Sequence, residues 1–267
     1  MRLRVPSYKG GTSEPLRADA QRTFPKIDNR RTLTRERAKL VYDRVGLKAN
    51  DSESSYGGPA TELLIESSSL QEANDCVLEF GHGSGALAQR LFARDILQSQ
   101  VKYIGVDQSN TMAKIAGQKL KSYTGRVELR ISNGSPVEST RDLADGSVDR
   151  FISTYVLDLL SEEDVYAVIM EARRVLKPDG LLCLTGITYG NNFSSWLMTS
   201  IWQLIYWYNI EIVGGCRPQN LRPYVEAVGF CVQTQEVVQG DRKSALGFMN
   251  NEVLVARPTH METHKLQ

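Results

Sequence analysis

Between residues 76 and 185 short apolar runs alternate with stretches whose apolar residues recur at helical spacing. The runs at 76–80, 101–106, 127–131, 148–153 and 181–185 read as strands. In 84–97, Leu87, Ala88, Leu91 and Ile96 or Leu97 share one helical face. Met112, Ile115, Ala116 and Leu120 do the same in a helix capped by Ser109 or Asn110. Val165, Val168, Ile169, Ala172 and Leu176 line a third, which Ser161 and Asp164 open as a capping box. Asp145-Gly146 and Lys177-Pro178-Asp179-Gly180 have the composition of tight turns. Such alternation predicts an α/β fold, a mostly parallel sheet with helices on both faces.

The pattern changes on either side. Residues 194–213 are rich in aromatics, and Leu197, Ile201, Leu204, Tyr208 and Ile212 mark one helical face while Trp196 and Trp207 point elsewhere. A helix apolar on more than one side is covered twice, once by the sheet and once by a substrate, a partner or a bilayer surface. Gly214-Gly215 breaks it, 222–228 is a short helix, and 230–237 with 248–256 reads as a closing antiparallel pair. Upstream, 1–29 lacks periodicity, 32–45 reads as a helix, and Pro59 opens another to about Ser67. These two helices are expected to cap the first strand's exit. The organisation is therefore an extended basic arm (1–30), a helical cap (31–70), a main domain (71–257) with an aromatic helical insert (192–228), and a tail (258–267).

A chain of 267 residues, 41% hydrophobic, suits one large domain. Its net charge of +1 conceals an asymmetry, because residues 1–40 hold 11 Lys/Arg and 4 Asp/Glu. The mildly acidic remainder argues against a nucleic-acid face. The arm is either a solvated leader in a cytoplasmic protein or, being arginine-rich, a mitochondrial transit segment. Cys76, Cys183, Cys216 and Cys231 show no C-x-x-C spacing, two of the three histidines sit in the tail, and a metal site is not expected. No run of 18 purely apolar residues occurs, so a soluble, intracellular protein is expected.

The candidate chemistry centres on V-L-E-F-G-H-G-S-G-A-L-A at 77–88. Gly81, Gly83 and Gly85 allow a sharp turn off a strand end and close backbone approach to a ligand. Glu79 sets a carboxylate beside that turn, suited to a ligand with a cationic amine and hydroxyls. Gly81, Gly83 and Ala86 also fit the dinucleotide fingerprint. Asp107, ending the second strand, can accept two ribose hydroxyls, and Asn133, after the third, can pair with an adenine edge. E-x-G-x-G-x-G, the strand-end residues and E-A-R-R-V-L-K-P-D-G at 171–180 together resemble class I S-adenosylmethionine (SAM)-dependent methyltransferases over about 37–257, of the small-molecule or quinone-biosynthesis type.

That resemblance implies a Rossmann-like seven-stranded sheet with an N-terminal helical cap. It implies SAM as cofactor and S-adenosyl-L-homocysteine as product. Glu79, Gly81, Gly83 and Gly85 would approach the amino-acid part, Asp107 the ribose, Gln108 and Met112 the adenine, Asn133 and Gly134 its exocyclic edge, with Thr154 at the tip of strand four. Many family members carry Asp where this chain has Asn133. Tyr42 and Tyr56 would cover the site from the cap, and Trp196, Trp202 and Tyr206 would enclose an acceptor. Methyl transfer from a sulfonium needs positioning, and a base only for a protonated acceptor. Asp158 and Tyr155 are the candidates. The expected acceptor is a small apolar or aromatic molecule, with a lipid or quinone and peripheral membrane contact as a variant. A nicotinamide oxidoreductase and a non-catalytic SAM-binding protein are the rival readings. No N-P-P-Y motif of DNA or glutamine methylation is present.

Overall fold

The computed structural model describes residues 32–45, 58–133, 135–241 and 247–259. In chain order these form α1 (Arg35–Val45), α2 (Gly58–Ser67), β1 (Cys76–Phe80), α3 (Ala86–Ala93), β2 (Lys102–Asp107), α4 (Asn110–Lys119) and β3 (Val127–Ile131). There follow α5 (Pro136–Ser139), β4 (Val148–Thr154), α6 (Glu162–Val175), β5 (Leu176–Thr188), α7 (Phe193–Tyr208), α8 (Arg222–Ala227), β6 (Phe230–Gln239) and β7 (Asn250–Pro258).

The seven strands lie in the order β3-β2-β1-β4-β5-β7-β6. β1 pairs in parallel with both β2 and β4, whereas β7 runs antiparallel to β5 and β6. The chain therefore winds outward from β1 in one direction and from β4 in the other. The crevice between these two strand tips is the switch point, where open α/β sheets bind ligands. Strand periodicity divides the core in two. Val77, Ile152, Cys183 and Val253 point into one apolar cluster, with α2 and α3. Their neighbours Leu78, Phe151, Leu182 and Leu254 point into the other, with α6 and α8.

Three expectations are corrected. α2 does not cap the strand exit: Ala60, Leu64 and Ile65 pack on the sheet face, and only α1 of the described cap reaches the strand tips. β5 is longer than expected, because Leu176 already pairs with Val148 before Leu181 pairs with Arg150. Lys177–Gly180 are thus extra residues bulged out of a continuous strand, where Pro178 forfeits no ladder bond. Lastly, α7 turns its apolar stripe outward. Leu197, Ile201, Leu204, Tyr208 and Ile212 are exposed with Trp196 and Trp207, while Ser195 and Thr199 are buried.

Polar groups lock the opposite ends of the strands. Asp149 accepts from the backbone amides of Asp75 (2.7 Å) and Cys76 (2.8 Å) and pairs with Lys177 at 2.7 Å. Burial acts to raise its carboxyl, yet Lys177 and the two amides outweigh this and hold it below its ordinary value. The buried Arg150 guanidinium donates to the carbonyls of Ser68 (2.7 Å), Asp149 (2.9 Å) and Ser69 (2.7 Å). Replacing it by an apolar chain would leave these acceptors unpaired inside the protein. Arg150→Met is expected to cost about 2–4 kcal/mol in urea unfolding; a loss below about 0.5 kcal/mol would remove this clamp from the account.

Candidate functional site

The tip of β1 turns through Gly81 (φ 81°), Gly83 (φ 52°) and Gly85 (φ 74°). The amides of Gly81 and His82 both donate to the Val106 carbonyl, at 2.7 and 3.2 Å, which pins the loop to the end of β2. The glycines have different tasks. A Cβ on Gly81 would stand 2.1 Å from the Val156 side chain, and one on Gly85 3.0 Å from Ala116. Among the described residues, a Cβ on Gly83 would meet nothing within 4 Å. Gly81 and Gly85 make room for protein, and Gly83 faces open space.

Asp107 is fixed beside that space. Its Oδ2 accepts from the Gly83 amide and its Oδ1 from the Ser109 amide, both at 2.8 Å. Each oxygen retains lone-pair capacity for a further donor. Glu79 lies deeper than expected, buried under the loop, where the Tyr103 hydroxyl donates to it. Burial first, and then the charge of Glu79, push the Tyr103 phenol well above its ordinary value. His82 is also folded inward, with Nδ1 2.8 Å from the Gly83 carbonyl. A carbonyl only accepts, so Nδ1 carries the proton, and the buried Nε2 has no partner. Burial lowers the imidazole pKa, with Asp107 acting the other way.

Beyond Asp107, Gln108 is half-buried, Ser109 Oγ caps α4 by accepting from the Met112 amide at 3.1 Å, and Met112 is buried. Asn133 is exposed and committed to its own turn, accepting from the Ser135 amide at 2.9 Å and donating to Glu138. Gly134 and Tyr56 lie outside the described residues. α1 reaches this edge through Asp43, which accepts from Ser109 Oγ (2.6 Å) and the Thr111 amide (3.3 Å) and pairs with Lys39 (2.6 Å). Burial opposes ionisation of Asp43, but Lys39, Ser109 and Thr111 together bring it down to about 2.

The second half of the site follows β4. Thr154 is buried at its tip. Tyr155 holds φ 56°, uncommon for an aromatic residue, donates its amide to the Thr185 carbonyl at 2.8 Å and its hydroxyl to Asn251 Oδ1 at 3.2 Å. Asp158 is only 2% exposed. Its Oδ2 accepts from the Ile187 amide at 3.3 Å and its carbonyl from the Arg217 amide at 3.0 Å, while Oδ1 has no partner among the described residues. Burial pushes its carboxyl up to about 6, against the Ile187 amide and the Arg217 charge. Arg217 spends Nη2 on the Leu160 carbonyl at 2.6 Å and leaves Nη1 unpartnered; both amide atoms of the buried Gln219 are unpartnered too.

These polar atoms adjoin an apolar cluster of Tyr155, Ile187, Cys216 and Met249, with Leu159, Met198 and Trp202 packed on it. Tyr42 and Trp202 converge there: the Tyr42 hydroxyl lies 3.9 Å from Cys216 Sγ, and Trp202 Nε1 donates to the Cys216 carbonyl at 2.9 Å. Tyr206 is half-buried. Trp196 is a correction: it points outward, 56% exposed, against Phe193. Burial raises the Cys216 thiol well above its usual value, so it stays protonated. Asp43, Arg217 and Gln219 were not foreseen. The Lys39/Asp43 spacing and the charged residue in G-G-C-R-P-Q were the available signals.

Residues 77–180 match the family model described as a methyltransferase domain. The chain is 30% identical over 126 residues to the carboxy-S-adenosyl-L-methionine synthase of Mannheimia succiniciproducens, covering 47% of this chain and 49% of that protein. It spans about half the length of the curated relatives it matches. Among solved structures, the cyclase SpnF aligns at TM-score 0.62 and 18% identity over 85% of this chain and 97% of that one. The geranyl diphosphate C-methyltransferase of Streptomyces coelicolor, solved with S-adenosyl-L-homocysteine, aligns at 0.55 and 15% over 76% of each. These structural likenesses concern the fold.

The Asp158 carboxyl makes a prediction independent of any ligand. An acid raised by folding from 3.8 to about 6 releases its proton first in the unfolded chain, so stability falls as pH climbs between those values and stays lower above them. Asp158→Asn, which keeps an acceptor for the Ile187 amide, should gain about 2–3 kcal/mol near pH 7.5 and little at pH 4. Equal melting-temperature changes at both pH values would contradict the burial described.

Proposed function

We propose that the chain, whose residues 77–180 match the model of a methyltransferase domain, is a class I SAM-dependent methyltransferase that moves a methyl group to a small acceptor with an apolar or aromatic body and a hydroxyl-type polar end. The observation that carries this reading is the open side of Gly83 next to Asp107. There the bare main chain and an anchored carboxylate form a cradle at the switch point, which suits a nucleoside bearing hydroxyls. SAM, when bound, supplies an electrophilic methyl on a sulfonium.

The chain's own residues have three tasks. Gly83 and Asp107 hold the nucleoside end, and the two backbone amides on Asp107 keep its carboxylate from rotating away. Tyr155, Ile187, Cys216, Met249 and Trp202 enclose the acceptor's apolar body and exclude water. Asp158 Oδ1 receives the acceptor's proton, and Arg217 Nη1 and Gln219 orient its polar group, because these buried atoms have no partner among the described residues. Tyr155 acts by position, its hydroxyl being donated to Asn251. A lipid or quinone would satisfy this chemistry.

Calorimetry tests the donor site. SAM should bind and NAD should not. Asp107→Ala should weaken SAM binding by about 1–3 kcal/mol, as for a lost hydrogen bond to a charged group, and Gly83→Val should abolish it while the protein stays folded. NAD binding, or normal SAM titration of Gly83→Val, would overturn the reading. Labelled methyl transfer from SAM into fractionated extract tests turnover. Since Asp158 accepts a proton only when ionised, the rate should rise with pH through about 6, and Asp158→Asn should remove that limb.

A further inference from the structure

α7 is amphipathic in the wrong sense for a helix of a protein alone in water. Its 16 residues contain no Asp, Glu, Lys or Arg. The side against the protein carries the buried Ser195 and Thr199 with the half-buried Trp202, and the outer side carries Phe193, Trp196, Leu197, Leu204, Trp207 and Tyr208. Phe193 and Trp207 are each 77% exposed and Tyr208 79%. At 1.5 Å rise per residue the stripe runs about 24 Å, and its positions fall on one helical face. A contiguous apolar patch of this kind marks a docking surface.

Two independent observations identify the occupant. Trp, Tyr and Phe rings dominate the stripe, and aromatic side chains of this kind favour the membrane–water boundary. Charge gives the second. Thr32, Leu33 and Thr34 line the same surface depression as Tyr208 and Asn209, so the segment 1–31 joins the described structure at the C-terminal end of the stripe. That segment holds eight Lys/Arg and three Asp/Glu, a net of +5. Glu211, just beyond α7, is tied to Arg37. An apolar aromatic stripe adjoining a basic segment combines the two weak signals that together hold a protein on an anionic lipid surface. A second copy on the stripe would double the positive charge there; anionic lipid neutralises it. Among the described residues no helix is long and apolar enough to cross a membrane, so the contact lies in the interface plane.

We infer that α7 docks in the headgroup region of an anionic bilayer, stripe downward, with the net charge of +5 on residues 1–31 adding attraction to the anionic lipid. Docking does not depend on the donor site. It deepens the acceptor reading, because Met198 and Trp202 on the inner side of α7 pack on the acceptor cluster, so an apolar acceptor would reach that cluster from the lipid side.

Sedimentation of the full chain, without SAM, with vesicles of phosphatidylcholine alone or with about 30% phosphatidylglycerol tests this. The protein should pellet with the anionic vesicles and not the neutral ones, and about 0.5 M salt should release much of it. Leu204→Glu combined with Trp207→Glu should weaken anionic-vesicle binding roughly tenfold or more, with the melting temperature and SAM titration of the parent retained, since both side chains are exposed. The inference is overturned if the parent ignores anionic vesicles, if the double variant binds them like the parent, or if the parent is a dimer that the double variant splits, which would put a second copy on the stripe. Failure here with SAM binding intact would leave the donor site standing; vesicle binding without SAM binding would do the reverse.

Discussion

The gap between Gly81 and Val156 is one methyl group too narrow for any side chain on the loop. That closeness joins the two halves of the crevice. The loop after β1 cannot move without pushing the turn after β4, on which Tyr155 and Asp158 are mounted. The proposed donor and acceptor sides are therefore coupled through one close approach at the centre of the sheet, rather than positioned by two separate loops. The anchoring of Gly81 and His82 to the Val106 carbonyl extends the same constraint to β2 and Asp107.

Charge is arranged along the strands with the same economy. At their one end Arg150, Asp149 and Lys177 complete one another's hydrogen bonds and face no ligand. At the other end Asp158, Arg217 and Gln219 are nearly as buried, yet each keeps at least one polar atom without a partner among the described residues. Buried polar atoms are normally paired. The contrast between the two ends separates groups that hold the fold from groups held ready for something else.

The strands were the most legible part of the chain. β1 begins and ends where its apolar run does, because a strand buried on both faces has little choice of composition, and β3, a half-buried edge strand, shows instead the alternation of apolar and charged positions. Asp107 and the glycine loop were readable for a related reason, since a turn and a strand tip are local. What was missed depends on tertiary partners. Periodicity locates an apolar stripe on α7 but carries no direction, so it could not tell inside from outside. The K-P-D-G composition serves a bulge as well as a turn. Glu79 was read as a carboxylate beside the turn; that it is buried and accepts from Tyr103, 24 positions away, depends on the fold. Arg217 and Gln219 become significant only when the chain folds them against Asp158 and Ile187.

Adjacent residues of α1 reach different halves of the crevice: Tyr42 touches Cys216 and Asp43 touches the start of α4. Both lie far upstream of the stretch from 77 to 180 that carries the recognisable domain. An excised core holding only that stretch would retain the glycine turn and Asp107 yet lack a wall on each side, and Cys216 and Arg217 besides. On the proposed reading the working unit is thus larger than the recognisable one, and trimming to the latter would remove the floor proposed for the second substrate.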